Sequence, residues 1–154
     1  MYEATLWAHS LLRYVLLIAG FAAIILSLKG WLTQQDFKAH HRRIHAAFLG
    51  SMHLELVLGL LLYVGLSPLA QAAFRAEDTM KNPLWRFWAV EHITTMIFAA
   101  IVTHASFVLV QRAEEDAQKF KRAAIGFSLA MALVFTAIPW PFREVVGRGW
   151  LPGL

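Results

Sequence analysis

The segment from Ala89 to Val110 constrains this chain most, because it is apolar enough to cross a membrane yet carries three ionisable residues. A helix needs about 20 mostly apolar residues to cross the hydrocarbon core of a bilayer. Ionisable side chains inside such a helix are costly, and they usually face a bundle interior, a cavity or a partner. The segment contains Glu91, His92 and His104, so the fold must supply groups that meet these side chains.

Three other stretches share this character, which predicts an all-α integral membrane four-helix bundle formed by a single transmembrane domain over residues 1–154. Hydrophobic residues make up 58% of the chain and charged residues only 16%, whereas soluble domains carry roughly 25% charged residues. Polar links separate the four apolar stretches, and the link between the second and the third contains prolines, which disrupt a helix. The predicted spans are about 6–28, 44–66, 89–110 and 123–138.

The links carry local signals as well. Asp36 is a candidate N-cap for the second helix, and Asn82-Pro83 has the pattern of an N-cap followed by the first residue of the third. We expect a short surface helix between residues 69 and 81, and a third helix that continues past the membrane into residues 111–119.

The distribution of positive charge predicts the orientation of the bundle. The 1–2 and 3–4 links hold eight Lys and Arg residues, against five in the 2–3 link and the tail. The positive-inside rule therefore predicts that the two basic links are cytoplasmic and that both termini of an up-down-up-down bundle are periplasmic. The eight are Lys29, Lys38, Arg42, Arg43, Arg112, Lys119, Lys121 and Arg122; the five are Arg75, Lys81, Arg86, Arg143 and Arg148.

The chain contains no cysteine. That excludes disulfides, thiolate metal sites, iron–sulfur ligation and covalent attachment of a c-type haem. The net charge of +4 does not indicate nucleic acid binding, because the basic residues mostly bracket the apolar spans. Histidine, methionine and carboxylate remain as candidate ligands.

Four histidines fall within the spans, and they form two pairs by depth. His9 and His92 each lie three residues inside the outer end of their span, roughly 5 Å by helical rise. His53 and His104 lie roughly 10 Å from the inner boundary. His92 and His104 point about 120° apart around their helix, which predicts that they face different clefts.

Two histidines that face each other inside an apolar bundle suit the axial positions of a b-type haem. The depths predict an outer haem on His9 and His92 and an inner haem on His53 and His104, although one haem is also compatible with the pattern. Arg13, one turn from His9, is placed to meet the propionates of the outer haem. Alternatively, each histidine forms a hydrogen bond between helices without any cofactor.

Two carboxylates complete the set of candidate functional groups. Glu55 lies about 200° around its helix from His53, so we expect it outside the His53 cleft. An unpaired carboxyl at this depth is expected to stay protonated. It would then act as a proton relay or a quinone partner, or it would be a neutral acid bonded to a neighbouring helix. Glu91 is a candidate for a salt bridge with Arg13 or Arg86, or for accepting a quinol proton.

A basic cluster precedes the second span. His41 and His45, together with Arg42 and Arg43, are expected to form a solvated basic anchor at the inner leaflet. His45 or either arginine is a candidate partner for the propionates of the inner haem.

The chain also resembles small bacterial four-span membrane proteins of the cytochrome b-like type. The resemblance lies in the segments His9-Ser-Leu-Leu-Arg13-Tyr14 and His53-Leu-Glu55-Leu-Val-Leu-Gly59, in Glu91-His92 with His104, and in Ile138-Pro-Trp-Pro141. It implies ligation of haem b by histidines and electron transfer in a bacterial inner membrane, with quinone as a partner. In the familiar two-haem bundles two helices supply two histidines each, whereas here three helices would share four.

Sequence alone therefore predicts a membrane b-type cytochrome that transfers electrons across the bilayer, either by itself or as a subunit of a membrane oxidoreductase. Its expected partners are lipid, quinone and other redox subunits. The alternative is a transporter or a copper- or zinc-handling membrane protein, in which the histidines with Glu55 and Met96 line a path for ions or protons. In a third class, a structural subunit, the histidines only hold helices together.

Overall fold

The computed structural model describes residues 1–152, which form four long helices and one short one without a strand. The long helices are apolar enough to cross a membrane, and each coincides with one predicted span. The all-α fold and the four candidate spans are therefore confirmed. The helices are α1 (Tyr2–Leu32), α2 (Ala39–Leu66), α3 (Pro68–Arg75), α4 (Pro83–Gln111) and α5 (Asp116–Ala137).

The long helices form a square in which neighbours along the chain are also neighbours in space. α1 contacts α2 and α5, and α4 likewise contacts α2 and α5. Phe48 and Phe127 fill the centre from opposite corners, with ring centroids 5.3 Å apart and no exposed surface. Gly20 on α1 leaves room for Met131 and Phe48, because a Cβ there would overlap both side chains.

The predictions made from the sequence of the links were partly correct. Asn82 caps α4 by accepting a backbone hydrogen bond of 3.0 Å from Leu84, and the short surface helix is α3. Asp36 is not the N-cap of α2, because the helix begins after Lys38, whose backbone N–H donates to His41 Nδ1. The predicted extension of the third helix was wrong as well.

Helix α4 ends at Gln111, and α5 begins only a few residues later at Asp116. The Asp116 carboxylate accepts one hydrogen bond from the backbone of Phe37 and another from the side chain of Lys119. These bonds tie the start of α5 to the α1–α2 link. The residues expected to prolong α4 therefore belong to the turn and to the first part of α5.

Two long helices contain a π-helical turn at the same end of the bundle. The turns are Leu62–Leu66 at the end of α2 and Phe87–Glu91 near the start of α4. A π turn places one extra residue in an α-helix and often occurs beside a functional site. Tyr63 Oη donates a 2.6 Å hydrogen bond to the carbonyl oxygen of Ala89, so one π turn is fastened to the other.

The opposite end of the bundle corrects the expectation of a solvated basic anchor. His41 and His45 are buried, with 3% and 0% of their surface exposed. His45 Nε2 lies 2.9 Å from Ser27 Oγ on α1, and its ring contacts Phe127. These histidines face the bundle because i, i+4 spacing puts them on the inner side of α2, while Arg42 and Arg43 on the other side are exposed.

Candidate functional site

A cavity of about 250 Å³ opens at the end of the bundle that carries the two π turns. Its walls come from the start of α1, the end of α2, the start of α4, the end of α5 and the tail. The ionisable and polar residues that line it include His9, Arg13, Glu55, Tyr63, His92 and Arg148. Most of the other lining residues are apolar, so the cavity combines an apolar body with a few convergent polar groups, as ligand sites commonly do.

His9 and His92 face this cavity from α1 and α4. Their ring centroids are 6.5 Å apart, and the ring planes are nearly perpendicular at 83°. Two imidazoles bound to one iron through bonds of about 2 Å have ring centres roughly 6 Å apart. The ring centroids of His9 and His92 are therefore within about half an ångström of that spacing.

The backbone of α5 fixes the orientation of His92. Its Nδ1 lies 2.8 Å from the carbonyl oxygen of Ala137, and since a carbonyl only accepts, Nδ1 carries the proton and donates. Nε2 is then the nitrogen with a free lone pair, and it has no hydrogen-bond partner among residues 1–152. Metal-bound histidines commonly have this arrangement, in which the second nitrogen donates to a backbone carbonyl.

Glu55 lies beside Nδ1 of His9, as the Ala137 carbonyl lies beside Nδ1 of His92. Its Oε1 lies 3.3 Å from His9 Nδ1, although the contact does not have hydrogen-bond geometry. Glu55 is 4% exposed, and its Oε2 has no partner among the described residues. As expected, Glu55 lies apart from His53: α2 turns it toward α1, where it meets the histidine of the other pair without a hydrogen bond.

Gly59, one turn beyond Glu55, allows α2 to approach His9. A Cβ at this position would stand 3.3 Å from His9 Cε1, which is closer than carbon atoms normally come. In the sequence, Gly59 was noted only as the last residue of the segment from His53 that carries the family resemblance. Its specific contact depends on how α1 and α2 cross, which the sequence does not reveal.

The C-terminal tail covers one side of the cavity. Arg13 Nη2 donates a 2.8 Å hydrogen bond to the carbonyl oxygen of Trp150, and Tyr14 Oη donates another of 2.6 Å to the same oxygen. Arg148 lies over the ring of Trp88 at 4.9 Å. Sequence reasoning missed this role, because it used the tail only to count positive charges and no motif connects the tail to α1.

His53 and His104 also lie together, but their surroundings differ from those of the outer pair. Their ring centroids are 5.4 Å apart and their planes are within 26° of parallel. Both residues are exposed on the outside of the bundle, and neither lines the cavity. The inner pair therefore has no enclosed slot of the kind that surrounds His9 and His92.

The structure also places Glu91 and the methionines Met96 and Met52. Glu91 forms the salt bridge with Arg86 that was one of its predicted options, at 2.6 Å. Met96 lines the cavity one turn beyond His92, whereas Met52 is fully buried in the core. No set of three or more histidine or acidic groups within residues 1–152 converges as a metal-ion site would require.

Comparisons with known proteins add no identification, since no family model, curated protein or solved structure matches this chain.

Proposed function

We propose that this chain is a membrane-embedded b-type cytochrome with a single haem, ligated by His9 and His92 at the end of the bundle that carries the cavity. The observation that carries the proposal is the facing pair of imidazoles, whose ring centroids lie 6.5 Å apart, with Nδ1 of His92 bound to the Ala137 carbonyl so that its Nε2 is free. Bound haem would supply a one-electron couple. The positive-inside pattern assigns this end to the periplasmic side.

The residues of the cavity have distinct roles in this proposal. The Ala137 carbonyl holds the Nδ1 side of the His92 ring, and the Glu55 carboxyl lies 3.3 Å from Nδ1 of His9, which leaves Nε2 of each ring for the iron. Gly59 leaves the space that His9 needs. Arg13 supplies positive charge at the mouth of the cavity for propionate groups.

The volume of the cavity means that haem binding would require the structure to open. A cavity of about 250 Å³ is slightly smaller than typical ligand sites of roughly 300–1,000 Å³. A macrocycle held by both histidines therefore requires the covering tail to move outward. Arg13 would then exchange its bond with the Trp150 carbonyl for a propionate.

We do not extend the proposal to a second haem on His53 and His104, because that pair is exposed and lies outside the cavity. With one haem near one face, electrons pass between that haem and a partner at the same membrane surface. A quinone dissolved in the bilayer or another redox subunit would serve as that partner.

The test is haem content with matched histidine variants. The detergent-purified protein should give a low-spin b-type reduced-minus-oxidised spectrum with about one haem per chain. His9→Ala and His92→Ala should each lose that spectrum, whereas His53→Ala and His104→Ala should retain it. A colourless protein after expression with ample haem would refute the proposal, and two haems per chain would refute the single site.

A second candidate, binding of a soft transition-metal ion, is favoured by one feature of the same cavity. Both histidines and Met96 line it, which offers two nitrogen donors and one sulfur donor, a set that suits copper(I). Met96→Leu distinguishes the two candidates. It should leave haem content unchanged if the cavity holds haem, and it should weaken copper binding strongly if the cavity holds an ion.

A further inference from the structure

His53 and His104 are unusual because they present polar side chains on the outer, lipid-facing surface of a membrane bundle. Both are exposed, and neither forms a hydrogen bond with any group in residues 1–152. Their exposed neighbours along the helices are apolar, including Leu54, Val57 and Ile101, each with about half of its surface exposed (51%, 52% and 56%). Lipid chains offer no partner for an imidazole, so something polar should cover this pair.

We propose that a second copy of this chain covers the pair, forming a two-fold symmetric dimer through the outer faces of α2 and α4. A two-fold axis along the membrane normal keeps every residue at its own depth. His53 and His104 of one protomer would therefore meet the same two residues of the other at the same height. Each neutral imidazole has one donor and one acceptor, so the four rings can satisfy one another.

The shape of the surface agrees with close approach of a second bundle. Gly50 lies one turn from His53 on the exposed side of α2, and a Cβ there would meet nothing within 4 Å. Ala46, two turns from His53 on α2, and Ala105, next to His104 on α4, are exposed as well. Small residues let transmembrane helices approach closely enough for polar groups to bond across them.

The absence of cysteine from the chain makes this proposal easy to test, since any single introduced cysteine is the only thiol. Ala46→Cys, Gly50→Cys and Val57→Cys lie along the proposed face of α2, and Leu129→Cys on α5 is an exposed control on another face. Each variant would be treated in membranes with a short bis-methanethiosulfonate crosslinker. We expect a dimer band from the three α2 positions and little from Leu129→Cys.

The role of the histidines is tested by adding His53→Leu and His104→Leu to the Gly50→Cys variant. We expect crosslinking to fall at least fivefold while haem content stays unchanged. Undiminished crosslinking would overturn the role assigned to the histidines. Crosslinking to a different protein, or none from the α2 positions, would overturn the dimer, and loss of haem would mean that the pair binds cofactor instead. The crosslinking outcomes do not depend on the outer cavity binding haem, so the two proposals can fail separately.

Discussion

Replacing Gly59 with alanine tests whether His9 binds haem from the position that the structure gives it. The added methyl group would stand 3.3 Å from His9 Cε1, whereas nonbonded carbons prefer about 3.5–4.0 Å. The ring must therefore retreat by a few tenths of an ångström, or the helices must separate. Overpacking of this kind costs about 1–3 kcal/mol.

We expect most of this cost to appear in haem binding, because in the proposed complex the iron would fix the position that the methyl group disturbs. A loss near the lower end, about 1.4 kcal/mol, corresponds to roughly tenfold weaker affinity. Gly59→Leu should lower the affinity further, since a larger side chain enters the cavity that Gly59 lines. The measurement is a haem titration of the detergent-solubilised apoprotein, followed by its absorption spectrum.

Gly65→Ala is the matched control on the same helix. A Cβ there would meet nothing within 4 Å, and alanine favours a helix over glycine by about 1 kcal/mol. This variant should bind haem as the parent protein does and should be equally or more stable. Equal haem affinity of Gly59→Ala and Gly65→Ala would refute the reasoning, because His9 could not then hold the iron from its position beside Gly59.

Three further predictions concern the contacts that hold the bundle together. Ser27→Ala removes the partner 2.9 Å from buried His45 Nε2 and should lower the free energy of unfolding by about 1 kcal/mol without changing haem content, as measured by denaturation in detergent; an unchanged free energy would contradict it. Gly126→Val should destabilise the protein by about 1–3 kcal/mol, because a Cβ at this position overlaps the side chain of Ser106. Adding Ser106→Gly should recover part of that stability, and no recovery would argue against the overlap. Asn82→Ala removes the cap of α4 and should cost about 1 kcal/mol; faster hydrogen exchange of the first α4 amides is the measurement, and unchanged exchange would speak against the cap.

Hydropathy predicted the four long helices well because the bilayer imposes one simple requirement. A spanning helix must be apolar for about 20 residues, and this pattern is visible in sequence without any knowledge of neighbouring helices. Prolines and asparagine likewise act locally, which is why the start of α4 at Asn82-Pro83 was predicted correctly. Depth along a helix is also local, and the histidines matched by depth are indeed neighbours in space.

The direction in which a side chain points was harder to predict, because it depends on how two helices cross. Glu55 was correctly placed away from His53, but nothing in its own helix indicated that α1 would bring His9 beside it. His45 was misjudged for the same reason, since the neighbouring arginines suggested solvent while Ser27 and Phe127 enclose it. The tail over the cavity involves residues more than 130 positions apart in the chain.

The two π turns affect how this chain should be aligned with other helical proteins. Each turn contains one residue more than an uninterrupted α-helix needs, so the helical phase changes by about 100° across Leu62–Leu66 and across Phe87–Glu91. An alignment to a chain with plain helices would require a single-residue gap within each turn. A gap placed elsewhere would rotate His92 off the face that lines the cavity, and a true counterpart would appear to lack this histidine.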